Sequence, residues 1–251
     1  LYGNTTGAKN TALGTSSLSV NSTGQSNTAV GDNALYSSTT ASHNTAVGYF
    51  AGYSVTTGLV SAFGSNVLKN NSTGSYNTGL GGRGSDNYST LNENTTGSYN
   101  VAVGHGSLAR NTTSSNNTAV GYQSLYSMSF TGDANKSTAV GYQAGYTSTH
   151  NVDAFGSQAL YSNTTGVLSV AIGREALFSN TTASYNTAVG WRAGYANTTG
   201  PSNTSVGASA LSSTTTGGYN TSVGNNSLRL NTTGNFNTAL GMYALDANTT
   251  G

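Results

Sequence analysis

The phrase N-T-A-V-G, or a near variant of it, recurs fourteen times along the 251 residues and nearly keeps step. Its closing glycines are Gly14, Gly31, Gly48, Gly64, Gly81, Gly104, Gly121, Gly141, Gly156, Gly173, Gly190, Gly207, Gly224 and Gly241. Nine of the thirteen intervals are 17 residues; the others are 16, 23, 20 and 15. A fixed period this short makes each repeat one coil of a stack, and the stack is the fold. The expected class is all-β: a parallel β-roll or β-solenoid of about 14 coils, with residues 1–251 as one repeat domain. The irregular repeats fall at 81–104 and 121–156.

Composition agrees with a stack rather than a globule. Hydrophobic residues are 35% and charged residues 6%, against roughly 45–50% and about 25% in typical domains. Asn, Ser, Thr and Gly make up the difference, yet the aliphatic residues hold phase with the glycines, which a disordered tract does not do. Net charge is +1, and the eight basic residues are scattered. Phosphate binding needs clustered Lys and Arg, so no nucleic-acid partner is expected. Cysteine is absent, which excludes disulfides and thiolate metal sites. No apolar run approaches about 20 residues, so no direct membrane insertion is expected. The chain opens within one repeat and closes within another, and is read as a segment of a longer fibre.

Ranks are counted from the phrase glycine as zero. Rank −1 is Leu, Val, Phe or Ile in every copy, rank −2 is Ala, Ser or Gly, and rank −3 is mostly Thr. Alternation with β-branched residues predicts a short strand, its −3 and −1 side chains turned inward. Rank +3 is usually Ala or Ser and rank +4 usually Leu, which predicts a second short strand completing the core. Three repeats carry Gly at +4 with aromatics at +1 and +5: Tyr49/Gly52/Tyr53, Tyr142/Gly145/Tyr146 and Trp191/Gly194/Tyr195. The rings either fold over the vacated Leu site or form an exposed row able to stack on sugars. Rank +7 starts N-S-T-G or N-T-T-G, the turn that closes the coil. Rank −4 is Asn in ten of fourteen copies, which predicts an amide ladder along the stack. One Val and one Leu cannot offset the ordering of a whole coil, so stability must be shared between neighbours. About 4.8 Å per coil predicts a rod on the order of 65–70 Å long.

The copy S-V-A-I-G at Ser169–Gly173, followed by R-E-A-L, resembles the head repeat of trimeric autotransporter adhesins of the Yersinia type. The N-T-A-V-G-x-x-A-L-x-x-N-T-T-G form is also similar to repeats of phage tail fibres and bacterial surface fibres. The resemblance implies a left-handed parallel β-roll with two strands per repeat, packed as a homotrimer. It implies a structural and adhesive role outside the cell, on a cell surface or a virion tail. The 17-residue period is longer than the usual adhesin head repeat, which leaves a single-chain roll or a filament as alternatives to the trimer.

Catalysis finds little support. The acids (Asp32, Asp86, Glu93, Asp133, Asp153, Glu175, Asp246) and histidines (His43, His105, His150) form no metal-ligand spacing, no triad and no G-x-S-x-G elbow. Neither enzyme activity nor a cofactor is expected. The out-of-step repeats hold six of the fifteen charged residues. They give the candidate contact loops Arg83, Asp86, Tyr88, Glu93, Phe130, Asp133 and Lys136, which either meet a cell-surface glycan or receptor or are length drift in a turn. The N-x-S/T triplets at Asn163, Asn180, Asn197, Asn231 and Asn248 are candidate glycosylation sites, and equally products of turn chemistry. A Thr-rich solenoid also suggests ice binding, weakened here because the strand Thr is read as pairing with core Val.

Overall fold

The computed structural model describes residues 1–84, 88–128 and 136–251. It divides into two compact units, Leu1–Asn135 and Lys136–Gly251. In the first unit lie β1 (Thr11–Leu13), β2 (Thr28–Val30), β3 (Thr45–Val47), β4 (Val60–Phe63), β5 (Asn77–Leu80), β6 (Val101–Val103) and β7 (Thr118–Val120). In the second lie β8 (Thr138–Val140), β9 (Val152–Phe155), β10 (Ser169–Ile172), β11 (Thr187–Val189), β12 (Thr204–Val206), β13 (Thr221–Val223) and β14 (Thr238–Leu240). Within each unit every strand pairs in parallel with the next in chain order. The register keeps ranks aligned: Thr187 faces Thr204, Ala188 faces Ser205 and Val189 faces Val206. The chain is therefore a β-solenoid of about 17 residues per turn.

The strand faces are the reverse of the expectation. Ala29, Ala46, Ala119 and Ala188, all at rank −2, are fully buried, whereas Leu13, Leu80 and Leu240 at rank −1 are 66%, 50% and 79% exposed. Strand side chains alternate with a period of two, so rank −4 Asn and rank −2 Ala face in while rank −3 Thr and rank −1 Val face out. The interior is too narrow for the reverse. A Cβ placed on Gly52 at rank +4 would lie 3.7 Å from the Cβ of Ala46 at rank −2, so the lumen is two side chains thick.

Nor is there a second strand among the described residues. Ranks +1 to +6 form stacked turns. Rank +4 is left-handed in every coil that carries Leu or Gly there: its leucines have φ between 46° and 53°, and Gly52, Gly145 and Gly194 have φ of 58° to 61°. A β-branched residue is excluded there, which is why the rank alternates between Leu and Gly. Where Gly stands, the space is filled by the neighbouring coil's leucine rather than by a ring, since Leu35 Cδ2 lies 3.0 Å from a Cβ built on Gly52. Hydrogen bonds between coils continue through the turns, as in Leu35 N to Ala51 O (3.0 Å) and Ser37 N to Tyr53 O (3.0 Å). The phrase glycine is required for a different reason. Gly31 has φ 132°, and a Cβ there would lie 2.5 Å from the carbonyl oxygen of Gly48 in the next coil.

Two amide ladders run through the interior. At rank −4, Asn27 Oδ1 accepts from the backbone N of Asn44 (2.9 Å) while its Nδ2 donates to Ala41 O (2.8 Å). A second ladder at rank +7 was read in the sequence only as turn. Asn180 Nδ2 donates to Asn163 Oδ1 (2.8 Å) and to Ala183 O (3.0 Å), and Asn111 and Asn94 repeat the pattern in the first unit. Buried amides in a chain this poor in hydrophobic residues are tolerated because the same coil and its neighbour supply most of their partners.

Candidate functional site

The outward sheet face is the first feature to weigh. Threonines at rank −3 and aliphatics or phenylalanines at rank −1 stand side by side, and among these ranks Asp153 alone is charged. Tyr76, Tyr99, Tyr185, Tyr219 and Phe236 at rank −5 add a third outward file, 55–76% exposed. Tyr76 stacks on Tyr99 at 5.0 Å and Tyr219 on Phe236 at 5.1 Å. Lys9, Lys136 and Asp153 are the charges on these three ranks, and a largely apolar sheet face of this regularity is the kind of surface that another molecule covers. The two short repeats each notch it. A groove of about 340 Å³ in the first unit is lined by His43, Leu59, Val60, Ser61 and Tyr76. One of about 320 Å³ in the second is lined by Lys136, Val152, Asp153, Leu168 and Val170. In both, Val replaces the inward Asn at rank −4 and Phe closes the strand, as V-S-A-F and V-D-A-F.

Of the candidate contact residues, Asp86, Phe130 and Asp133 lie outside the described residues. Tyr88 is half-buried and is held by the stack: Arg110 Nη2 donates to its hydroxyl (3.0 Å) and its ring meets Tyr126 edge-on at 5.2 Å. The Arg110 guanidinium also lies 5.2 Å from the Tyr126 ring centre. The bond from Arg110 holds the Tyr88 hydroxyl below its usual pKa, while burial pushes that of Tyr126 up. Glu93 is half-buried, its backbone N donating to Ala109 O (3.1 Å). Arg83 is exposed in the first unit and Lys136 in the second, at the mouth of its groove.

The glycosylation reading is corrected. Asn163, Asn180, Asn197 and Asn231 are 0–1% exposed. Each Nδ2 already donates to the carbonyl three residues on, at Gly166, Ala183, Gly200 and Gly234. A sugar on that nitrogen does not fit the folded coil. Asn248, half-exposed in the last coil, donates to Asn231 Oδ1 (3.3 Å) and Gly251 O (2.7 Å).

The aromatic residues of the turns do two jobs. At rank +5, Tyr146, Tyr161, Phe178 and Tyr195 form one file with centroid spacings of 5.2, 5.2 and 5.3 Å. Their faces cover one another, so they pack rather than wait for a sugar. At rank +1 the rings face solvent in part: Tyr49, Tyr142 and Trp191 are 48–50% exposed. Beside Trp191, Arg192 lies 4.9 Å from its ring centre and 5.0 Å from that of Tyr195, and Arg192 Nε donates to Glu175 (2.6 Å). Bonds from Arg192 and then Arg174 hold the Glu175 carboxyl below the usual carboxylate range. Asp246 is held low in the same way by Arg229, at 2.8 Å.

Ion pairs like these tie coil to coil, and sequence reasoning missed them; the signal was opposite charge one period apart, at Glu175/Arg192 and Arg229/Asp246. Among the described residues, no three His, Asp or Glu converge to hold a metal ion. Comparison with protein-family models, with curated proteins and with solved structures gives no match, so the functional reading rests on the geometry alone.

Proposed function

We propose that this chain is a structural and adhesive segment of an extracellular fibre, on a bacterial surface or a phage tail, and that it works as a self-associated roll. The supporting observation is the outward file at rank −1. Leu, Val, Phe and Ile stand there in all fourteen coils, several of them more than a third exposed. Leaving that apolar surface in water is unfavourable, and packing it against the same face of further copies removes it. A homotrimer, with the left-handed winding of the adhesin heads it resembles, is the assembly this reading favours over a filament.

Sedimentation of the purified chain tests it. The wild type sediments as three copies, and Val189→Asp/Val206→Asp sediments as one, with an unchanged circular dichroism spectrum. A wild type that stays monomeric at micromolar concentration overturns the assembly.

A second reading has an observation of its own. Strand Thr and Val share the outward face, as at Thr187/Val189, Thr204/Val206 and Thr221/Val223, all in register. That is a flat hydroxyl-and-methyl array suited to ice, and the objection that the Thr pairs with a core Val no longer holds. Thermal hysteresis in a solution of the chain supports ice binding; unshaped crystals with no freezing hysteresis dispose of it.

A further inference from the structure

The turns beside the exposed rank +1 rings contain a pair of equivalent slots. In the second unit, the coil of Gly207 carries only small outward residues, A-S-A-L-S-S from Ala208 to Ser213. Its neighbours carry large ones. The result is a slot of about 330 Å³, floored by Ser209, Ser212 and Ser213 and walled by Trp191 and Arg192 on one side and Arg229 on the other. The aromatic file at rank +5 ends here: Tyr195 is followed by Ser212, so one ring-sized layer is missing from the stack. The flanking coils are about 9.6 Å apart, twice the strand spacing, which leaves room for a single ring between them.

The first unit holds a related slot, with Lys69 at the rank +5 that Ser212 occupies in the second. A cavity of about 260 Å³ is lined by Tyr49, Phe50, Asn66, Lys69, Arg83 and Asn92. It too lies above a coil with an aromatic at +1 and Gly at +4, and it too holds two cations. Lys69 Nζ lies 5.1 Å from the Phe50 ring centre. In the second slot both guanidiniums are already braced by carboxylates, Glu175 and Asp246, that lie outside the lining. A guanidinium has five N–H donors, so each keeps some for a ligand.

We propose that these slots bind the acidic sugar units of a surface polysaccharide, one pyranose ring per slot, with the ring against the aromatic wall and its carboxylate on the cations. An aromatic face suits the C–H side of a pyranose, serine hydroxyls and Asn amides suit its hydroxyls, and paired cations select a carboxylate over a neutral sugar. This rests on the adhesive half of the reading above, and moves recognition to the turns beside the rank +1 rings.

Trp191 is the chain's single tryptophan, so its fluorescence reports on one slot. The full-length chain is titrated with methyl glucuronide, N-acetylneuraminate and methyl glucoside. At least one of the acidic sugars gives a saturable change, and the neutral one binds about tenfold more weakly. Ser212→Tyr, which supplies the missing ring at a rank where Tyr is native, abolishes the change without unfolding the coil, and Arg229→Gln removes the preference for acid. Silence toward both acidic sugars, equal response to the neutral one, or a response that survives Ser212→Tyr overturns the proposal. Retention of the chain on immobilised uronate-bearing, sialylated and neutral polysaccharides separates the two readings. Retention that Ser212→Tyr combined with Lys69→Gln and Arg83→Gln leaves unchanged leaves adhesion standing without the slots, and no retention on any of them removes adhesion as well.

Discussion

Rank +4 shows how much one methyl group matters. Leu177 and Leu211 are left-handed, at φ 50° and 52°, with their side chains buried in the lumen. In an ordinary core, Leu to Ile costs under about 1.5 kcal/mol. Here the β-branch meets a left-handed backbone, so Leu211→Ile is expected to cost about 2–3 kcal/mol. Leu211→Met is expected to cost under about 1.5 kcal/mol; equal losses for the two in urea unfolding refute the backbone argument. The same narrow lumen couples Val67 to Gly79. A Cβ on Gly79 would fall 2.5 Å from Val67 Cγ1, where other coils pair Ala or Ser at +3 with Ala or Ser at −2. Gly79→Ala should therefore destabilise by about 1–3 kcal/mol, and Val67→Ala in the same chain should restore most of it. Additive losses in the double variant would contradict the coupling.

Among the elements, the strands are the minor partners. Three or four residues each cannot hold a stack alone, and the amide ladders and stacked turns carry as many contacts between coils. Asn180→Ala strands Asn163 Oδ1 and the Ala183 carbonyl, so a loss of about 2–3 kcal/mol is expected, read from the shift in thermal midpoint. The coil-to-coil ion pairs add a pH dependence. Glu175 is held below its unfolded pKa, so its contribution is complete above that unfolded value, near 4.3, and fades as pH falls through the lower folded one. Glu175→Gln should flatten the melting temperature between pH 6 and pH 3 relative to wild type. An unchanged slope would show that the pair contributes nothing.

For the whole molecule, each unit is a seven-strand stack whose outward sheet face is sparsely charged and whose turns hold a cation-lined slot. The short repeats make grooves in the sheet face, Tyr88 is packed against Arg110, and the slots arise on coils of both regular and irregular length. In the first unit's slot Lys69 stands at rank +5 of the middle coil; what makes the second unit's slot is a coil of small outward residues between coils of large ones. That pattern was visible at Ala208–Ser213, but nothing in one repeat said which of its residues face solvent.

By itself the sequence determined the repeat, the parallel stacking in register, the strand at ranks −3 to −1 and an Asn ladder at rank −4. A period and a polar residue in strict phase permit nothing else. It could not determine which strand face is the core, because alternation is symmetric until the partner across the lumen is known. The tertiary structure decided that. Left-handed leucines at rank +4 fill a lumen two side chains thick, which admits Ala from the strand and expels Val. The same packing drew Asn163, Asn180, Asn197 and Asn231 inside, and left the Thr-Val file and the serine-floored slot facing water.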